Sequence, residues 1–242
     1  MRGIILAAGR GSRLPKNLSK QPKCFLKLKN KSLIDYQLDA FSKIGIKDIA
    51  VVTGYKKKLF NSFGLKIFNN KNWKKTNMVY SLLKADKWLS NYNCIVSYGD
   101  IFYEGIKINK LIRSKKPISL LYDKNWKTIW KKRFKNPLSD AETFKITKDY
   151  KINEIGKKTN TYKNIQGQYM GIIKFTPRGW KIFKLILKKK FNKNFQKMFL
   201  TDVFQKIIES KIISLYGIEY KSKWMEVDNL KDYKILKKTF ER

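Results

Sequence analysis

No histidine occurs anywhere in the 242 residues. That absence removes Ser/His/Asp nucleophilic catalysis, histidine general-base chemistry and histidine metal ligation from consideration. Cysteine is nearly absent too: Cys24 and Cys94 stand alone with no partner pattern, which excludes a disulfide framework and a cysteine zinc site. Both are expected to be buried, reduced thiols. No stretch approaches the ~20 apolar residues of a membrane span. The opening Met1-Arg-Gly-Ile-Ile-Leu6 runs into glycines and charge rather than into a secretory cleavage region. A cytoplasmic location is expected.

Acidic residues are also scarce, 18 against 55 Lys and Arg, so the net charge is +37. Such an excess invites a nucleic-acid reading, because a basic surface attracts phosphate without regard to sequence. Lysine, however, supplies 48 of the 55 basic residues, and Ile and Asn are abundant beside it, the bias of A- and T-rich coding DNA. The lysines are dispersed; Lys56-Lys-Lys58 and Lys188-Lys-Lys190 are only short local runs. A solvated surface is the preferred reading, with a non-catalytic basic nucleic-acid-binding protein kept as an alternative.

With 43% hydrophobic residues the chain can bury a sizeable core, and one domain over 1–242 is favoured. Short apolar runs at Gly3–Ala7, Ile49–Thr53, Leu65–Phe68, Cys94–Tyr98 and Ile118–Tyr122 read as strands. Between them, Leu33, Tyr36, Gln37, Ala40, Phe41 and Ile44 follow helical spacing, with Gly45 as a stop. This βαβ alternation predicts an α/β fold, a Rossmann-like, mostly parallel mixed sheet flanked by helices. Residues 1–122 form its first half. In 123–175, Trp126, Trp130 and Phe134 suggest a short helix or lid, and strands near 142–147, 152–155 and 168–175 suggest a small acceptor-site subdomain. Residues 176–242 return to helices (177–190, 200–209, and one from Asn229) and strands (212–216, 224–227).

The densest signal lies at the start. An apolar strand runs into Gly9-Arg-Gly-Ser-Arg13, and Pro22-Lys23 follows. Ala7, Ala8, Gly9 and Gly11, small residues in a segment that also offers Leu6 and Ser12 to a nucleotide, let backbone N–H groups approach a nucleoside triphosphate closely, and Arg13 and Lys23 add fixed positive charge. The spacing is neither GxxxxGK[ST] nor GxGxxG, since position 14 is Leu. In open α/β sheets ligands sit beyond the carboxyl ends of strands. The glycine loop and Asp100, in Val96-Ser-Tyr-Gly-Asp100, should therefore share one crevice.

These segments, LAAGRGSR at 6–13, PK at 22–23, VTGY at 52–55, NMVYSL at 77–82, YGD ending at Asp100 and MEVDN ending at Asn229, resemble the nucleoside-triphosphate transferases of the sugar-nucleotidyltransferase fold. Among these they are most similar to the bacterial phosphocholine cytidylyltransferases. The loop Leu14-Pro-Lys-Asn-Leu-Ser19 departs from the Pro and Thr often found there. The resemblance implies a Mg²⁺-dependent reaction that joins CMP from CTP to phosphocholine or a related phosphorylated amino alcohol or phosphonate. A sugar-1-phosphate nucleotidyltransferase is the alternative. It also implies that Lys23 bridges the α-phosphate and the acceptor, Arg13 grips the β and γ phosphates, and Asn77, Ser81 and Gly99 line the nucleotide.

Asp100 and Asp228 are implied as the metal ligands, each with the alternative of capping a following helix. Asn77 and Ser81 carry a similar alternative, an N-cap followed by a solvent-facing serine. Glu226 is a weaker candidate on the same strand as Asp228. For an ammonium-bearing acceptor, the aromatic residues Tyr122, Tyr169 and Trp224 with Asp140 and Glu142 form the expected set, and Trp126 and Phe144 lie near them. Whether the enzyme is a monomer or a homodimer stays open.

Overall fold

A computed structural model describes residues 1–191 and 194–241. In chain order its strands are β1 (Arg2–Ala7), β2 (Lys27–Leu28), β3 (Lys31–Ser32), β4 (Ile49–Thr53), β5 (Lys66–Asn69), β6 (Cys94–Tyr98) and β7 (Ile101–Tyr103). They continue as β8 (Ile118–Asp123), β9 (Glu142–Ile146), β10 (Lys151–Lys158), β11 (Gln168–Phe175), β12 (Leu215–Glu219) and β13 (Trp224–Glu226). The helices are α1 (Leu33–Lys43), α2 (Met78–Leu83), α3 (Asp86–Asn91), α4 (Asn109–Arg113), α5 (Lys127–Arg133), α6 (Pro177–Ile186), α7 (Leu200–Ser210) and α8 (Leu230–Phe240).

Nine strands form one sheet in the order β5-β4-β1-β6-β11-β8-β12-β10-β9. β1 pairs in parallel with β4 and β6, β4 with β5, and β8 with β12. β11 runs antiparallel to β6 and β8, and β10 antiparallel to β12 and β9. Only β10 and β11 thus oppose the common direction, and the sheet is the mostly parallel mixed one the alternation predicts. Among the described residues no helix is long and apolar enough to cross a membrane.

Strand alternation decides which side chains go to which face. Ile4 points into a cluster with Val52, Val96, Leu82, Phe183 and Phe204, under α2, α3, α6 and α7. Its neighbour Ile5 points the other way, to Val51, Ile95, Phe41, Leu111 and Trp130, under α1, α4 and α5. A third cluster of Leu14, Leu26, Leu33, Phe102, Met225 and Leu236 binds α8 beneath the glycine loop. α1 starts where Ser32 and Asp35 form a reciprocal capping box and stops before Gly45 at φ 76°.

Of the short helix or lid expected around Trp126, Trp130 and Phe134, the structure has the helix, α5, and Trp126 and Trp130 are 1% and 4% exposed, packed edge to face in the second cluster. One expectation is corrected. The strand expected at 212–216 begins later, at Leu215, because Lys211 closes α7 in the left-handed region and Ile212 turns outward. β9 and β10 join the main sheet through β12.

One buried amide fixes the turn after β6. Gln37 on α1 is 1% exposed; its Nε2 donates to the carbonyls of Tyr98 and Ile101, both at 2.9 Å, and its Oε1 accepts from Ser97 Oγ at 2.9 Å. The turn so held carries Gly99 and Asp100. Gln37→Leu removes three buried hydrogen bonds, leaving Ile101 O without its side-chain donor and Tyr98 O with only Ser97 Oγ at 3.2 Å, so the unfolding free energy should fall by about 2 kcal/mol. Urea unfolding of the two proteins measures this, and an unchanged midpoint would remove Gln37 from that role.

Candidate active site

β1 ends at Ala7 and the chain turns over the sheet through residues 9–13. Gly11 has φ 74°, and a Cβ there would lie 2.6 Å from Lys23 Cγ, so conformation and crowding both require glycine. At Gly9 a Cβ would meet no atom within 4 Å, which leaves open space above the loop for a ligand. Gly99 is small for another reason: its N–H donates to Leu6 O at 2.9 Å, and a Cβ would lie 2.8 Å from that oxygen.

The loop borders a cavity of about 320 Å³ lined by Leu6, Ala7, Gly9, Gly11, Ser12, Arg13, Pro22, Lys23, Cys24, Asn77, Gly99 and Asp100. Two residues expected there lie elsewhere. Ala8 is buried, with its carbonyl accepting from Tyr55 N. Ser81 is neither on the wall nor solvent-facing: its hydroxyl accepts from Asn70 Nδ2 at 3.0 Å and donates to Asn77 O at 3.3 Å. Asn77 does both things considered for it, capping α2 through Met78 N and lining the cavity. Burial pushes the Cys24 thiol up, so it stays protonated on the cavity floor.

Asp100 follows β6, and Asp228 follows β13, whose ladder with β7 brings the two together. Neither caps a helix; Asn229 caps α8, and Asp100 leads into β7. Lys23 Nζ lies between them, 2.9 Å from Asp100 Oδ2 and 2.8 Å from Asp228 Oδ1. Arg13 Nη2 reaches the same Asp228 oxygen at 2.5 Å. Burial opposes the charge of Lys23, but the two carboxylates outweigh it and raise its pKa. Burial likewise works against the Asp228 carboxylate, while Lys23, Arg13 and Arg133 together lower its pKa.

Carboxylate oxygens of Asp100, Glu226 and Asp228 all lie within 4.8 Å of one another. An all-oxygen set with two carboxylates at the centre is the kind of donor group Mg²⁺ takes, with no soft ligand competing. The residues fit the ion that the resemblance implies. Burial first, then Asp228 and Asp100, push the pKa of Glu226 well above the usual carboxylate range.

Arg133, which the sequence reading missed, closes the cluster from behind. It is 4% exposed; Nε and Nη2 hold Asp232 at 3.0 and 3.1 Å, Nη2 reaches Asp228 at 3.3 Å, and Nη1 lies 3.8 Å from Glu226. Asp232 is fully buried and also accepts from Asp228 N at 3.0 Å. Three carboxylates are thus organised by one planar fork, which a lysine could not do. A signal was present: arginine is rare here, and Arg133 ends the run Lys131-Lys-Arg133.

A second cavity, about 250 Å³, meets the first at Arg13 and is lined by Met78, Tyr98, Trp130, Asp140, Glu142, Gln168, Tyr169, Met170, Gly171, Phe199, Thr201, Glu226 and Asp228. Gly171, at φ 77°, interrupts the β11–β8 register and turns this stretch toward the cavity. Of the expected acceptor set, Asp140, Glu142 and Tyr169 are here. Tyr122 and Trp224 are not: Tyr122 stacks on Phe144 in the core, and Trp224 is buried with its Nε1 donating to Asp123 Oδ2 at 2.9 Å. Burial raises the pKa of Asp140 and of Glu142, opposed at Asp140 by Arg133 and reinforced at Glu142 by Asp202 and Asp140.

The CTP:phosphoglutamine cytidylyltransferase of Campylobacter jejuni is 39% identical to this chain over 97% of it and 98% of that protein. The chain is a nucleoside-triphosphate transferase. The description "MobA-like NTP transferase domain" fits residues 3–117. The choline-phosphate cytidylyltransferase of Streptococcus pneumoniae is 31% identical over 47% of this chain and 51% of its own length. The solved CTP:phosphocholine cytidylyltransferase from Streptococcus pneumoniae superposes with a TM-score of 0.77, covering 98% of both chains at 23% identity. The inositol-1-phosphate CTP transferase from T. maritima superposes at 0.75, covering 98% and 95% at 21% identity. These two structures share the fold of the transferase.

The raised pKa of Glu226 has a stability consequence with a definite sign. A carboxyl whose folded pKa lies above its unfolded value favours the neutral form in the fold, so ionising it at higher pH lowers stability. Glu226→Gln should therefore raise the thermal midpoint of the metal-free transferase at pH 8, and the gain should shrink as pH falls toward 5. Scanning calorimetry at the two pH values tests this; a variant less stable at pH 8 would refute it.

Proposed function

We propose that this transferase moves CMP from CTP to a small phosphorylated acceptor that carries an ammonium group, a phosphorylated amino acid of the phosphoglutamine type, and releases pyrophosphate. One observation carries the acceptor class. In a chain of net charge +37, the second cavity is lined by Asp140, Glu142, Glu226 and Asp228, and among the described residues Arg13 is the one cation on its wall. Such a wall suits a positively charged ligand. It disfavours both a nucleic acid and a sugar phosphate, whose sugar brings no positive charge to the wall.

The kind of ammonium follows from what lines the cavity. A primary ammonium donates hydrogen bonds to carboxylates and to an amide such as Gln168, whereas a trimethylammonium has no N–H and relies on aromatic faces. With Tyr122 and Trp224 withdrawn into the core, four carboxylates face the four rings of Tyr98, Trp130, Tyr169 and Phe199, and the carboxylates give a primary ammonium the acceptors it needs. The 39% identity to the phosphoglutamine enzyme supports the same choice. Phosphocholine is the second reading, supported by Trp130, Tyr169 and Phe199 on the cavity wall.

The chemistry needs no base, in keeping with a chain that has no histidine. An acceptor phosphate oxygen is already ionised near neutrality and attacks the α-phosphorus in line; the bond from that phosphorus to the bridging oxygen of pyrophosphate breaks. Lys23, on the wall of the first cavity and bonded to Asp228 of the second, neutralises charge on the α-phosphate and the incoming phosphate. Arg13 holds the departing β and γ phosphates. Mg²⁺ held by Asp100 and Asp228, with Glu226 beside them, would supply further charge stabilisation on the triphosphate. The remaining work is positioning and preorganised charge.

Lys23→Ala should lower kcat by about a hundredfold, the scale of losing one preorganised electrostatic contact. Pyrophosphate release measures it, and near-normal turnover would remove Lys23 from the mechanism. The acceptor class is tested by the same assay with CTP, UTP, ATP and GTP against phosphoglutamine, phosphocholine, phosphoethanolamine and a hexose 1-phosphate. CTP with phosphoglutamine should give the highest kcat/KM, and Glu142→Gln should raise the KM of the acceptor far more than that of CTP. Preference for the hexose phosphate would overturn the acceptor assignment.

A further inference from the structure

A third cavity, about 800 Å³, opens on the far side of Asp140 and Glu142 and is lined also by Ser139, Lys158, Thr159 and Asn164. Asp140 and Glu142 form the wall it shares with the second cavity. β9 and β10 place Lys158 directly opposite Glu142, and cross-strand partners present side chains on one face. A bulge made by Gly156, at φ 83°, sets this register; a Cβ there would run into Thr201, a residue of the second cavity.

Lysines outnumber carboxylates so heavily that pairing would be the default on this surface. Yet among the described residues Asp140, Glu142 and Lys158 make no ion pair with each other or with any other group. Two carboxylates and one ammonium thus flank a single opening without closing on one another. That arrangement is complementary to a zwitterion, with cation toward the carboxylates and anion toward the lysine.

We infer that Lys158 binds the α-carboxylate of the acceptor while Asp140 and Glu142 take its α-ammonium, making Lys158 the residue that selects amino-acid phosphates over simple amines. This rests on the proposed amino-acid acceptor. The phosphoryl group lies in the second cavity near Lys23, the side chain spans the shared wall, and the amino-acid head faces the third cavity. Simple phosphorylated amines lack the group Lys158 would hold.

Phosphoserine and phosphoethanolamine differ by that carboxylate alone. Calorimetric binding of both, and of phosphoglutamine, to the transferase loaded with a non-reacting CTP analogue isolates its contribution. Wild-type protein should bind phosphoserine about tenfold tighter than phosphoethanolamine, the scale of one charge-assisted contact. Lys158→Ala should erase that difference and weaken phosphoglutamine alike, while Lys158→Arg should keep it. Equal binding of the two probes by wild type, a preference that survives Lys158→Ala, or no binding of any of the three overturns the inference. Pyrophosphate release judges the CMP-transfer reading separately, since binding decides Lys158 whether or not turnover occurs.

Discussion

The structure turns on a concentration of like charge. Asp100, Glu226 and Asp228 come from two strand ends more than a hundred residues apart, and bringing their carboxylates within 4.8 Å is unfavourable without cations. Lys23 supplies one from the front, bonded to both aspartates, and Arg133 supplies another from behind. The β7–β13 ladder, the capped start of α8 and the turn held by Gln37 all serve to keep this cluster in place. The raised pKa of Glu226, owed first to burial and then to Asp228 and Asp100, shows how hard it is to keep three charged carboxylates together there.

Much of the frame was legible because it depends on local pattern. Strand runs at Ile49–Thr53 and Cys94–Tyr98 appear at the residues expected, and the alternation of Ile4 and Ile5 between two clusters is what a doubly covered sheet requires. The glycine loop and Asp100 could be placed at one crevice because each follows a strand, whereas the roles expected of Lys23 and Asp228 came from the resemblance. The less legible parts depended on long-range packing. Tyr122 and Trp224 look like cage residues in sequence, but burial claims them. Arg133 looked like one more surface cation, and only the fold shows it meeting Asp232 from 99 positions away.

The absence of histidine and the chemistry of the site are two sides of one solution. An acceptor that arrives already ionised needs cations placed in advance, and this chain has cations in abundance. Its difficulty is the reverse: keeping a few carboxylates free of them. Among the described residues Asp140 and Glu142 stay outside every ion pair, whereas Asp228 is held by Lys23, Arg13 and Arg133.

The strand order carries a consequence for biosynthesis. β12, residues 215–219, lies between β8 and β10, so the β9–β10 hairpin joins the sheet through a strand made some sixty residues later. As a chain leaves the ribosome from its amino end, the glycine loop and Asp100 emerge early, while the walls of the second cavity wait on the final quarter. A partly translated chain therefore has a nucleotide cradle with nothing to receive the nucleotidyl group. Closure of the reaction chamber is among the last long-range contacts to form, and the high separation of its parts along the chain makes that closure a slow step of folding.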